Sequence, residues 1–272
     1  MANAPTYGVT DRSQAEGPLD LALEELEIRG YAVLDSGLSP ERLDRLRDRL
    51  DAIGRLQEEE AGGRRNLERI NDADVVRCPL AYDEAFADLA VHPVLMELSR
   101  RVLGENFVLV MQNGVVNPPG HEHYQARWHR DLNYQHWVAT KPLAIHALFC
   151  LDPFTVHTGG TVFLPGSHHI ERFPSDAYVA KHETPVDAPA GAILIANAMV
   201  YHRAGHNRSD MTRRGVNHVI GRPFLAQQVD LPAMLQGRGR EDPFLSRYFG
   251  YRWNPRPSVE AWRRERLEAA GR

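Results

Sequence analysis

Residues 191–219, GAILIANAMVYHRAGHNRSDMTRRGVNHV, carry the reading that decides the fold. An apolar strand runs to a turn at Asn197, a second strand reaches His202, and a polar loop ends in Arg213 and Arg214. Working outward, residues 106–225 break into short β-like runs: FVLVMQNGVV, ARWHRDL, LAIHALFCLD, TVFLPG, AILIAN, MVYHRAG and GVNHVIGRPF. Gly, Pro and Asn separate them. Short strands at this spacing, without interleaved helices, predict a sandwich or barrel and argue against a parallel βαβ sheet. The expected fold class is mainly β with flanking α, a jelly roll of about residues 106–225 with helical packing in front.

The helical part lies upstream. Residues 1–17 are polar and are expected to be flexible, leaving 18–272 as one domain. After Pro18, LDLALEELEIRG places Leu19, Leu23, Leu26 and Ile28 on one stripe and stops at Gly30. YAVLD reads as a short strand. Ser39 and Pro40 then fit N-cap and N1 of a second helix, whose Leu43, Leu46, Leu50 and Ile53 recur at three- and four-residue steps. Residues 55–75, with a Glu run, two glycines and an Arg pair, have the composition of a surface connector; a lid is the alternative. A third helix near HPVLMELSRRVLG ends at Gly104, and SVEAWRRERLEAAGR reads as a closing helix capped by Ser258.

Composition narrows the function. The 43% hydrophobic and 25% charged fractions are those of an ordinary globular chain with a core. A formal charge of −4 without a basic block excludes a phosphate-tracking nucleic-acid surface and favours small-molecule partners. The two cysteines, Cys78 and Cys150, are far apart and fit a reducing compartment better than a disulfide scaffold. With no apolar leader at the N-terminus, and AGAILIANAMVY (190–201) too short to span a bilayer, a cytoplasmic location is expected.

RWHRDLNYQHW, residues 127–137, suggests metal chemistry. On a strand, alternate side chains share a face, so His129 and Asp131 form a chelating pair. Two imidazoles and one carboxylate on one face of an octahedral ion leave the opposite positions open, the arrangement of non-haem Fe(II) oxygenases. By itself H-x-D is more often a solvated or capping pair. HIE at 169–171 has the same pattern but follows a Pro-Gly-Ser turn and reads as loop. HEH at 121–123 lacks a following glutamate before His129 and also reads as loop. His202, 71 residues after Asp131 at the end of an apolar strand, is the third candidate; His206, inside the polar loop, reads as solvent-facing. Arg213 follows His202 by eleven residues and suits bidentate capture of a carboxylate in the same cavity.

Taken together, these residues resemble the phytanoyl-CoA dioxygenase family of Fe(II)- and 2-oxoglutarate-dependent oxygenases. H-x-D is HRD at 129–131. The distal histidine, an N-x-S loop and an arginine are HRAGHNRSDMTR at 202–213, and a family turn is matched by GTVFLPGSH at 160–168. IRGYAVLDSGLSPERLDRLRDRL resembles the family's opening, and the similarity runs from about residue 25 to about 255. The resemblance implies a double-stranded β-helix, a cupin-like barrel. It makes His129, Asp131 and His202 the iron ligands and Arg213 the partner of the distal carboxylate of 2-oxoglutarate. Gln112 and Asn117 match more loosely the region holding the co-substrate's other end. Ala204 stands where many relatives carry a hydroxyl, and Ser209 is a candidate replacement.

The implied reaction consumes O2 and 2-oxoglutarate, releases succinate and CO2, and oxidises an unactivated C–H bond of a small metabolite. Hydroxylation is the default; desaturation, epimerisation or cyclisation would use the same residues. The carboxylate at 131 argues against halogenation, for which relatives carry a small residue there. Trp128, Asn133, Tyr134, His136, Trp137 and Arg222 are candidate substrate contacts, favouring a polar or aromatic metabolite over a long acyl chain, although each is at least as readily a packing residue. Two readings from other classes remain: a cupin-like isomerase or hydrolase using Zn or Mn at His121, His123 and His202, and a catalytically silent barrel.

Overall fold

The computed structural model of the protein describes residues 8–9, 11–120, 123–132 and 137–271. Its first part alternates helices with two strands: α1 (Pro18–Ile28), β1 (Tyr31–Asp35), α2 (Pro40–Glu60), α3 (Arg64–Arg69), β2 (Val75–Arg77), α4 (Pro79–Tyr82), α5 (Glu84–Ala90) and α6 (Pro93–Leu103). The β-rich part comprises β3 (Val108–Asn117), β4 (Ala144–Cys150), β5 (Thr161–Phe163), α7 (Asp176–His182), β6 (Thr184–Pro185), β7 (Ala192–Asn197), β8 (His202–Ala204) and β9 (Arg213–Gly221). Then come α8 (Leu231–Leu235), α9 (Pro243–Tyr248) and α10 (Val259–Ala270), the last capped by Ser258 as expected. None of the described helices is long and apolar enough to cross a membrane.

The strands form two antiparallel sheets. The larger has the order β1-β7-β4-β9-β3-β2, the smaller β6-β5-β8. Among the described residues no strand pairing joins the two, so the cupin-like fold is two facing sheets rather than a closed ring. The crossing from β7 to β4 and from β4 to β9 skips neighbours in sequence, as in a jelly roll, and its long connections carry the polar loops.

Two apolar clusters account for the layering. On β4, Ile145, Ala147 and Phe149 face the helices with Leu46, Leu50, Phe86, Leu89 and Leu95. The alternate residues Leu148 and Cys150 face the smaller sheet with Phe154, Phe163, Leu194 and Ala196. Because both faces are covered, β4 reads as a continuous apolar run rather than an alternation. His146 is the polar exception on the inner face.

Several expectations change in the structure. Residues 55–75 are not an irregular loop: α2 continues to Glu60, and α3 follows a break at Gly62 and Gly63, whose φ values of 76° and 107° end the first helix. The helix-forming Glu and Arg residues of the segment prevail over its polarity. No strand forms at ARWHRDL (126–132): a 3-10 turn, Tyr124–Ala126, ends at its first residue, and the rest is irregular apart from a single bridge, His129 to His202. Ile28, placed on the buried stripe of α1, is 71% exposed, because the helix packs through Ala22 and Leu26.

The docking of α2 is as read. Ser39 Oγ accepts from the Arg42 amide, Pro40 opens the helix, and Leu43, Leu46, Leu50 and Ile53 are buried. Leu50 enters a notch left by Gly114 on β3, where an added Cβ would stand 2.5 Å from Leu50 Cδ1 and 3.1 Å from Val76 Cβ. Gly114→Ala is therefore expected to lower stability by about 1–3 kcal/mol through overpacking, read by denaturant unfolding with an unchanged m-value. Stability equal to wild type would contradict this packing account.

Candidate active site

The opening in the inner layer begins with one backbone contact. His129 and His202 exchange both backbone hydrogen bonds, N–H to C=O at 3.0 Å in each direction. Residues that exchange both bonds lie directly opposite one another, so their side chains emerge together. The rings lie 4.4 Å apart, centroid to centroid. Each ring is aimed by its own chain: His129 Nδ1 lies 2.8 Å from the Arg127 carbonyl and His202 Nδ1 3.1 Å from the Val200 carbonyl. Both Nε2 atoms are thereby left for another partner.

Asp131 completes the group. One atom from each of His129, Asp131 and His202 falls within 4.8 Å of the others. Asp131 Oδ1 lies 3.7 Å from His202 Nε2, and its side chain is 6% exposed. Burial pushes the Asp131 carboxyl up, but the surrounding imidazoles of His146, His202 and His129 outweigh burial and hold it well below the usual carboxylate range. Burial lowers His202 to about 3, so this imidazole is neutral at pH 7. Two imidazole nitrogens and a carboxylate oxygen, all within 4.8 Å of one another, form a donor set that fits Fe(II).

Arg213 opens β9 at the other end of the opening, only 2% exposed. One guanidinium nitrogen donates to the Gly159 carbonyl at 3.0 Å, the group stacks on Phe154 at 4.3 Å, and among the described residues Nε has no partner. Among the described residues it has no ion-pair partner. Asp152, which acts on it at a distance, is engaged by Arg214, whose backbone amide donates to it at 2.8 Å, and lies 3.5 Å from Arg47. Burial lowers Arg213 to about 10, which leaves it cationic at pH 7. A buried cation without an anion fits the carboxylate end of a keto acid. Between the two ends lie Val115, Gln125, His146, Leu148, Thr161 and Asn217.

Other expected site residues fall elsewhere. Gln112 points from the opposite face of β3 into the helical layer, where its amide donates to the Phe86 carbonyl at 2.7 Å and accepts from the Leu80 amide at 2.8 Å. Asn117 sits beside Arg213 and braces the Gly205 and Gly159 carbonyls at 3.2 and 3.5 Å. Ser209 is folded into its own loop, its hydroxyl donating to Asn207 Oδ1 at 2.7 Å. Trp128 packs outside the opening against Phe173, under Arg203. Trp137 is 48% exposed. Arg222 lies beyond the far end of β9, roughly 30 Å along the strand from Arg213, and donates to the Pro142 carbonyl at 3.1 Å. Asn133, Tyr134 and His136, and His121 of the alternative metal set, lie outside the described residues. His123 caps the 3-10 turn, accepting from the Gln125 amide, and His206 is exposed as expected.

Sequence reasoning missed His146, Thr161 and Asn217. His146 had a signal, a lone polar residue within an apolar strand. Thr161 and Asn217 had none, because their facing is set by sheet pairing: Thr161 stands opposite Ala204, and Asn217 opposite Leu148.

A family model described as phytanoyl-CoA dioxygenase (PhyH) matches residues 26–215. An uncharacterised protein of Mycobacterium tuberculosis is 31% identical over 217 residues, covering 78% of each chain. Dioxygenase olcK of Penicillium canescens is 27% identical over 184 residues, covering 63% of this chain and 59% of its own. Among solved structures, the epimerase SnoN, in complex with Fe3+, alpha ketoglutarate and nogalamycin RO, aligns with a TM-score of 0.57 at 17% identity over 79% of this chain and 88% of that one. The non-heme alpha ketoglutarate dependent carbocyclase SnoK, from nogalamycin biosynthesis, aligns at 0.56 and 17% over 75% and 83%. Both share the fold. With the match spanning most of the chain and the donor set in place, the protein belongs to the phytanoyl-CoA dioxygenase family of Fe(II)- and 2-oxoglutarate-dependent oxidoreductases.

Proposed function

We propose that His129, Asp131 and His202 hold Fe(II) and that Arg213 receives the distal carboxylate of 2-oxoglutarate, for hydroxylation of an unactivated C–H bond of a small molecule. The observation that carries this reading is the buried Arg213 guanidinium, which lines the same opening as the three donors and has no anionic partner among the described residues. When bound, iron with 2-oxoglutarate and O2 supplies the oxidising power, releasing succinate and CO2. The chain's part is to bind, orient and exclude water. Arg213 fixes one end of the co-substrate, and the two imidazoles with the Asp131 carboxylate would leave the remaining positions on the metal open. Leu148, Val115 and Ala204 keep the lining partly apolar and limit water. Desaturation, epimerisation and cyclisation would use the same residues, and the likeness to an epimerase and a carbocyclase keeps them as alternatives.

The hydroxyl lacking at Ala204 has a replacement across the strand pair. Thr161 faces the same opening from β5, and its hydroxyl makes no hydrogen bond among the described residues. We assign the second contact to the co-substrate carboxylate to Thr161 rather than Ser209.

Two experiments test these roles. Anaerobic addition of Fe(II) and 2-oxoglutarate to the metal-free protein is expected to produce the weak visible charge-transfer band of a chelated keto acid. Arg213→Ala should need far more 2-oxoglutarate to reach it, and Asp131→Ala should abolish the band and, once O2 is admitted, succinate release; a band formed equally well by Arg213→Ala would contradict the assignment. Thr161→Val is expected to raise the KM for 2-oxoglutarate about tenfold, the scale of a lost hydrogen bond to a charged group, whereas Ser209→Ala leaves it unchanged. The reverse pattern would return the role to Ser209.

A further inference from the structure

His146 belongs to no motif, yet it has a defined relation to the donor set. It stands on the inner face of β4 with its side chain 3% exposed, its ring edge-on to His202 at 4.9 Å and tilted against Phe163 at 6.1 Å. Packing on both sides fixes the plane of the ring. Its Nδ1 lies 2.5 Å from Asp131 Oδ2. A carboxylate that ligates a metal is deprotonated and can only accept, so in the proposed site the hydrogen of this contact belongs on His146 Nδ1.

The two oxygens of Asp131 are thus divided between different partners. Oδ1 faces His202, and Oδ2 faces His146. We propose that His146 is a positioning residue that fixes Asp131 as a one-oxygen metal ligand by occupying its second oxygen. The inference rests on the metal site proposed above.

The chemistry gives this contact a purpose. A carboxylate with both oxygens free binds a cation through one or both of them. Chelation through both would take a position that the keto acid and O2 require. A donor on Oδ2 removes that option, holds the carboxylate plane, and keeps Oδ1 directed at the site, as outer hydrogen bonds to ligating side chains commonly do. The remaining nitrogen, Nε2, is buried without a partner among the described residues and has no part in this role.

The role separates from ring volume by substitution. Asparagine places its amide nitrogen close to where Nδ1 stands and omits Nε2; phenylalanine keeps the ring and loses the donor. The probe is Co(II) alone, added anaerobically to the full-length metal-free protein and followed by its visible absorption, which reports both affinity and coordination. Thermal unfolding of the metal-free forms shows that each variant is folded. Wild type and His146→Asn are expected to bind with similar affinity and the same spectrum. His146→Phe should bind about 10- to 100-fold more weakly, with an altered spectrum. If His146→Phe does not fold, His146→Gln, whose amide nitrogen sits out at the Nε2 position, is expected to show the same loss. Wild-type binding and spectrum in His146→Phe, or in His146→Gln where that variant stands in for it, would overturn the proposal. So would a loss in His146→Asn as large as in either. Wild type that binds no Co(II), or binds it no better than Asp131→Ala, would overturn the metal site itself and the inference with it.

Discussion

The reciprocal backbone pair between His129 and His202 is the constraint on which the site depends. It joins a segment that is otherwise irregular to the first residue of β8, which pairs in turn with β5. A chain of this kind cannot bring two imidazoles together through side-chain contacts alone, since each would lose rotamer freedom without a fixed partner. The backbone exchange holds both residues, and the carbonyls of Arg127 and Val200 then aim the rings. A one-residue slip would turn His129 away and bring Trp128 or Arg130 inward. Arg130 guards against that slip, because its guanidinium is buried over the Tyr201 ring and donates to the Ser167 and Ile170 carbonyls.

The helical layer acts at one remove. Gln112 and the apolar side chains of α2, α4 and α5 cover the outer face of the larger sheet, and Gln112 Nε2 lies 2.7 Å from His218 Nε2 on β9. This anchoring keeps β9 in register with β3, and register places Arg213 opposite Asn117 at the end of the opening. A guanidinium there is costly without its anion, since burial opposes its charge. On the proposed reading, the same cost would make the position selective for a ligand that brings a carboxylate.

Much of this was legible in the residues. The H-x-D pair, the distal histidine and the arginine eleven residues later stand at spacings that the fold brings to one opening, and the capped α2 and the apolar β7 follow from periodicity. The rest depended on pairing that sequence does not encode locally. Gln112 is polar on a strand beside the motif, but alternation alone does not tell which face is the cavity, and it faces the helices. Arg222 and Arg213 share a strand region in sequence and lie at its opposite ends in space. His146 was visible as a polar residue in an apolar run, while its link to Asp131, 15 residues upstream, arises only when β4 lies beneath the His129 segment. Residues 55–75 misled because charge marks a solvated face as readily as a loop, and here it marks the outside of two helices.

The central claim is that one iron ion sits among His129, Asp131 and His202 with its open side toward Arg213. The most direct measurement is an anaerobic crystal structure with Fe(II) and 2-oxoglutarate, locating the metal by anomalous scattering at the iron edge. The account predicts a single strong peak contacting His129 Nε2, His202 Nε2 and Asp131 Oδ1, with the keto acid extending to Arg213. A peak at other side chains, or a keto acid whose distal carboxylate lies away from Arg213, would contradict it.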